Sequence, residues 1–295
     1  MRFVGRNLGQ FFWLLRRTLI ACFDDALFTI AKGAAYSSLL SLFPVLTSAA
    51  TIFIQIRADY VQQNLAAFLT QILPPDTDTA VLEQFRLRGQ RPLWLLVIAF
   101  VLSLWAASSV IKSLIDGFNA AYRVPRSRTM LAHVGVGIML VFLCLVPLVG
   151  ASSLILFGGQ IEGAVLNLLK VDPILNPLAP TWEVLSRIAR YLVSFFATSS
   201  VIATLYYYGP YRKQRWATVW PGAILATVLW LPATTGFGWY VRNIANYNVL
   251  YGSVGTGIAL LVWMYLLAAI ALFGCEFNAE LERMRMALSA QRKKV

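Results

Sequence analysis

The chain has 295 residues; 59% are hydrophobic and only 13% are Asp, Glu, Lys or Arg, about half the charged share of a soluble protein. A soluble domain of this size cannot hide so much apolar surface, and mean hydropathy is +0.67. Six stretches lack any charge, at 33–56, 92–111, 129–161, 191–211, 216–241 and 243–275, each long enough for the ~20 residues of a bilayer helix, which excludes a soluble enzyme, a secreted disulfide scaffold and a disordered chain.

The N-terminal 32 residues read as an amphipathic lead-in. Val4, Leu8, Phe11, Leu15, Leu19 and Cys22 recur at helical spacing beside arginines, the pattern of a helix lying on a membrane. Arg2 and Arg6 could open a signal peptide, but Phe11–Leu15 is too short an apolar core and Arg16-Arg17 interrupts it, so no cleavage is expected.

The first span is placed at 33–55. Gly33, Ser37, Ser41, Pro44, Ser48, Thr51 and Gln55 follow one another at steps of 4, 4, 3, 4, 3 and 4, which sets all seven on one face of a helix. Small polar faces turn away from lipid. Such a face can pack against a neighbour or wall a hydrated path. Pro44 removes an intrahelical hydrogen bond and is expected to kink the span. The loop that follows, 57–92, carries an amphipathic stretch at Tyr60–Leu73, stopped by Pro74-Pro75, and a second short helix at Thr79–Leu87.

The second span, 93–114, ends in another polar face formed by Ser108, Lys112, Asp116 and Asn119. Lys112 and Asp116 are spaced to pair at i, i+4, although Lys112 also sits where a lysine reaches out to headgroups. The third span is placed at 133–157, with the lone His133 at headgroup level and a kink at Pro147. The loop 158–187 holds Pro173, Pro177 and Pro180, expected to stop regular structure. The fourth and fifth spans occupy 190–209 and 218–239, with Tyr206–Tyr208 and Trp216 as an aromatic belt and a kink at Pro232. The sixth, 253–275, opens on Gly255 and Gly257 and closes on Glu276, Asn278 and Glu280, ahead of a charged tail at 276–295. An acid followed by Phe-Asn-Ala ends both the second and the sixth span. Lys112, Asp116, Asn119, Glu276 and Asn278 are therefore expected to form one polar cluster, with Lys112 facing Asp116 and Glu276.

The expected fold is an all-α integral membrane protein: one domain, a bundle of six transmembrane helices with an N-terminal amphipathic helix and short loop helices outside. The runs are continuous rather than alternating, which suits helices and not a barrel. With the N-terminus inside, 17 Lys and Arg fall on the cytoplasmic side and 8 on the other, leaving net charges of +11 and +1; both termini are read as cytoplasmic. The basic residues lie in short membrane-flanking stretches, so topology and anionic lipid explain them without nucleic acid. Three widely spaced cysteines form neither a disulfide framework nor a zinc pattern. No phosphate loop, metal-binding His-Glu pair or nucleophile elbow is present in the sequence, so no cofactor, metal or catalytic residue is expected.

Four blocks resemble the YihY/BrkB family of bacterial inner-membrane proteins, some once labelled ribonuclease BN. They are Ala34-Ala35-Tyr36 with Ser41-Leu42-Phe43-Pro44; Asn119-Ala120-Ala121-Tyr122; Leu205–Pro210 with Trp216 and Pro221-Gly222-Ala223; and Tyr251-Gly252-Ser253 with Trp263-Met264-Tyr265 and Gly274-Cys275-Glu276-Phe277-Asn278-Ala279-Glu280-Leu281. Lys32 departs from the pattern, where an apolar or small residue is usual. The resemblance implies a six-span protein of the bacterial inner membrane, with envelope or lipid-related export as its discussed role. The ribonuclease label finds no carboxylate or histidine cluster of the kind metal-dependent cleavage needs.

These readings combine into an expected transporter-like protein that is not an enzyme. Its partners would be membrane lipids and a lipid-linked or amphipathic solute. Ser37, Ser41, Pro44, Ser48, Thr51 and Gln55 would line the path, and the polar cluster would form its cytoplasmic end. The alternative is a non-transporting scaffold for envelope machinery.

Overall fold

The computed structural model describes residues 2–55, 93–125, 129–168, 179–243 and 253–292, of which some helix side chains, including those of 49–55, are not described. The expected loop helices at Tyr60–Leu73 and Thr79–Leu87 lie outside the described residues. Within them the chain is all helical, with no strand. In chain order the helices are α1 (Arg2–Asp24), α2 (Leu27–Gln55), α3 (Leu93–Ala121), α4 (Met130–Leu168), α5 (Ala179–Tyr208), α6 (Trp216–Asn243) and α7 (Ser253–Arg292). Six of them, α2 to α7, are long and apolar enough to cross a membrane.

Consecutive spans pack side by side and α7 returns against α2, which closes a ring of six; α1 lies outside it against α7 and α2. Outward positions carry large apolar side chains, among them Phe43, Trp105, Val146, Leu231 and Trp94. Exposure of this extent is costly in water and ordinary in hydrocarbon.

Helix boundaries depart from expectation where a charge or a proline was read as a stop. α2 begins at Leu27, so Lys32 lies inside the helix. The structural break falls earlier, at Asp25-Ala26, where Ala26 takes a left-handed φ of 53°. α4 continues to Leu168, and Pro180 sits in the first turn of α5, where a missing N–H costs nothing. α2, α4 and α6 each run through their prolines, Pro44, Pro147, Pro221 and Pro232. α7 does not end at 275; it continues unbroken to Arg292, and residues 274–280 are buried.

The main core sits at one end of the ring. Cys22, Leu27, Ala31, Ala34, Phe118, Ala121, Tyr206, Val219, Ala223, Leu272 and Cys275 belong to one buried cluster. Tyr206 is therefore a core residue rather than part of a belt; its hydroxyl donates to the Ala271 carbonyl at 2.5 Å, and its ring meets Phe118 edge-on at 5.2 Å. Tyr208 and Trp216 stay exposed. α6 and α7 cross at Gly222 and Gly274. A Cβ on Gly274 would lie 2.5 Å from the Tyr206 hydroxyl and 2.6 Å from the Gly222 carbonyl oxygen, whereas a Cβ on Gly33 would meet nothing within 4 Å.

Overpacking of this kind costs about 1–3 kcal/mol. Gly274→Ala is therefore expected to lower the melting temperature of the purified protein in detergent by several degrees. Gly33→Ala should leave it unchanged.

Candidate functional site

From Ser37 to Ser48 the stripe of the first span is turned into the protein, while Gly33 at its start is exposed. Ser41 and Ser48 are buried, Ser37 and Pro44 half-buried, while Leu40 and Phe43 on other faces are exposed. Ser37 Oγ lies 3.5 Å from Ser113 Oγ of α3. Ser41 donates to the Ser38 carbonyl at 2.8 Å, whereas the buried Ser48 hydroxyl has no hydrogen-bond partner. The side chains of Thr51 and Gln55 lie outside the described residues. Ser37, Ser41, Pro44 and Ser48 are thus at least half-buried along this face, and the exposed Gly33 opens on space.

That space is a cavity of about 400 Å³ between α2 and α3, lined by Ile30, Gly33, Ser113, Asp116, Asn119, Ala120 and Val124. Asp116 Oδ1 lies 4.0 Å from His133 Nε2 at the start of α4. The lone histidine therefore stands beside the cavity, which its position in sequence did not reveal. Asn119 uses its side-chain oxygen to accept from the Tyr211 backbone N–H at 2.8 Å, tying α3 to the loop after α5. Lys112, half-buried, approaches Gly137 of α4.

Glu276 and Asn278 belong to a separate group on α7. Glu276 is wholly buried, and its partner is Arg283, Nη1 to Oε1 2.9 Å, rather than Lys112. The expected cross-span pairing fails for a local reason. Because α7 continues past 275, it supplies its own cation two turns further on. Arg283 also bonds Glu280 and donates to the Ala121 carbonyl at the end of α3, 2.5 Å. Arg17 of α1 reaches Glu280 from the other side at 2.5 Å. Two buried carboxylates and two guanidiniums thus neutralise one another where α1, α3 and α7 meet. Neither arginine stood out in the sequence, because both looked like ordinary topology charges.

Asn278 joins two helices. Its oxygen accepts from the Gly222 N–H at 2.7 Å, and its amide donates to the Val219 carbonyl at 2.8 Å. Gln214 caps α5 by donating to the carbonyls of Tyr206 and Tyr207. Arg212 pairs with Glu282 at 2.7 Å and stacks on Tyr122 at 4.3 Å. Arg123, also left-handed at φ 54°, bonds Asp25 at 3.2 Å and ties the two turns together. Cys22 is buried in this region; desolvation, with the negative charges of Glu276 and Asp25, pushes its thiol up to about 12. No group of three His, Cys, Asp or Glu placed to hold a metal occurs among the described residues.

Long apolar helices closed in a ring, with polar side chains gathered at one end, define a polytopic helical membrane protein. The chain belongs to the virulence factor BrkB family, which it matches over residues 22–295. It is similar to YfkH of Bacillus subtilis, named as a ribonuclease-like protein, with 29% identity over 265 residues, 84% of this chain and 88% of that one. A UPF0761 membrane protein of Tolumonas auensis is 27% identical over 278 residues, 94% of this chain and 86% of its own. A longer UPF0761 membrane protein of Alkalilimnicola ehrlichii is 28% identical over 265 residues, covering 87% of this chain and 55% of its own. No solved structure matches the chain. Described residues of all four family-like blocks, such as Ala34, Ala121, Tyr206, Ala223 and Cys275, meet in the one core cluster.

Removing one partner of a buried ion pair costs about 3–5 kcal/mol. Arg283→Leu is expected to destabilise the protein by that order in thermal or denaturant unfolding. Adding Glu276→Gln to it should recover a large part, because Glu280 keeps Arg17. Asn278→Leu removes two buried interhelical hydrogen bonds, at about 0.5–1.5 kcal/mol each, and the same unfolding measurement reads it.

Proposed function

We propose that this chain is a transporter-like protein of the bacterial inner membrane that moves a lipid-linked or amphipathic solute, with both termini in the cytoplasm. The observation that carries the reading is the cavity of about 400 Å³ at the first position of the polar stripe, lined by Gly33, Ser113, Asp116 and Asn119. Polar side chains near a span rarely border empty volume without a use, since each could instead be replaced by a packed apolar one. Ile30, Ala120 and Val124 on the same wall suit a solute with an apolar part.

The orientation rests on the 17 to 8 distribution of Lys and Arg, which sets the cavity at the cytoplasmic face. The ribonuclease-like name of YfkH stays with that protein: here Glu276 and Glu280 are engaged by Arg283 and Arg17. The scaffold alternative does not account for the cavity.

Gly33→Leu fills the cavity from a position where added atoms meet no neighbour. In proteoliposomes carrying fluorescent phosphatidylglycerol, the wild-type chain should move label between leaflets, and Gly33→Leu should reduce that movement to the level of protein-free vesicles. Equal movement by both overturns the conduit. A wild-type chain that moves no lipid, while Gly33→Leu still complements an envelope defect of a deletion strain, favours the scaffold.

A further inference from the structure

α1 has two apolar faces, not one. The sequence pattern places Phe11, Leu15, Leu19 and Cys22 together as a membrane-facing stripe. In the structure the side turned to the protein is centred beside that stripe: of the stripe's members Cys22 is buried, Leu15 is half-buried and Phe11 and Leu19 are exposed. Leu14, Thr18, Ala21 and Cys22 are buried, Phe11 meets Phe277 of α7 edge-on at 6.2 Å, and Arg17 holds Glu280. Leu19 falls at the outer edge of the stripe. At about 100° per residue, Phe12, Leu19 and Phe23 lie within an arc of about 40°, and all three are exposed. Ile20 and Trp13 continue the arc on one side and are exposed as well. Arg16 projects from its middle, also exposed.

The level of this face is set by its contacts. α1 packs against residues 277 and 280 of α7, immediately past the charge-free stretch that ends at 275. Its C-terminal end turns through Asp25-Ala26 straight into a membrane span. The helix therefore lies at the boundary between hydrocarbon and headgroups. A face of large apolar side chains with an arginine among them would be solvated poorly on either side of that boundary and suits the boundary itself.

We infer that the outer face of α1 docks on the anionic phospholipid surface of the membrane the protein spans, with Phe12, Leu19 and Phe23 among the upper acyl chains and Arg16 on lipid phosphates. Charge complementarity chooses this occupant. Arg16 is the one described basic residue inside the arc, no acid lies between Phe12 and Phe23, and the same end of the ring exposes Lys32, Arg123, Lys213 and Arg215. Arg17, already engaged by Glu280, fixes the inner face, so the two neighbouring arginines divide the work between protein and lipid. The surface is distinct from the cavity and does not depend on the chain being a transporter.

The test uses the full-length chain with Cys144 replaced by serine and a bimane label at Phe12→Cys, or at Leu19→Cys with Phe12 in place, in nanodiscs. Cys22 and Cys275, both buried, stay unlabelled. Expected is quenching by brominated lipid and shielding from iodide. Mixing phosphatidylglycerol into phosphatidylcholine should raise the ratio of lipid-buried to water-exposed label by about fivefold, and Arg16→Gln should remove that gain. Phe12 and Arg16 face away from α7, so neither change disturbs the seat of the helix. A label equally open to iodide in both lipid mixtures overturns the proposal. So does shielding that is lost when each disc holds a single chain, because a second copy would then be the cover.

Discussion

The basic end of the ring depends on one close approach, the crossing of α6 and α7 at Gly222 and Gly274. With no side chain at either position the two backbones come near enough for Asn278 to take both the Gly222 N–H and the Val219 carbonyl. Pro221 lies beside that N–H. Inside a membrane a bond from a neighbouring helix to the backbone is not competed for by water, and Asn278 makes two of them. Tyr206 then closes the third side by donating to the Ala271 carbonyl. Three helices are thereby joined through side-chain-to-backbone bonds, which carry directional information that apolar packing alone lacks in lipid.

The ion cluster is stacked directly on this crossing. Burying Glu276 and Glu280 is expensive unless each charge is met with good geometry. The continuation of α7 to Arg292 places Arg283 against Oε1 of both carboxylates, and α1 adds Arg17 from outside the ring, while Glu276 Oε2 keeps no hydrogen-bond partner. The N-terminal helix is therefore part of the core and not a loose lead-in. Its seat and the α6–α7 crossing are separated by only a few residues of one helix.

The number and placement of the spans were legible in the sequence because lipid forbids charge and demands continuous helix, and six long charge-free runs state both conditions. The inward direction of Ser37, Ser41 and Ser48 was legible from their period. What the residues could not state was length beyond the membrane. Glu276 reads as a terminus because charge appears there, yet helical hydrogen bonding has no reason to stop at a charge. Misreading that end also assigned Glu276 to Lys112, which faces α4 instead. α1 misled for a related reason: a hydrophobic period identifies an apolar face but does not say whether protein or lipid covers it. The cavity was invisible because it is a property of two helices failing to fill a volume, and no single stretch of sequence records that.

The bonds at this end are unevenly shared. Among the described residues α5, α6 and α7 are joined by Tyr206, Asn278 and the Ser199–Thr227 hydroxyl pair at 3.0 Å. Between α2 and α3 the described hydrogen bonding is the long Ser37–Ser113 contact, 3.5 Å, beside an unfilled volume. A contact at the edge of hydrogen-bond distance, in which Ser113 also donates to the Ser109 carbonyl at 3.1 Å, is cheap to give up. The crossing at Gly222 and Gly274 is not, because parting it breaks both bonds of Asn278 and that of Tyr206. α2 and α3 are nonetheless the most extensively packed pair of neighbours, so close packing rather than hydrogen bonding holds them together. The polar stripe and the cavity lie on that side, where packing without strong directional bonds joins the helices.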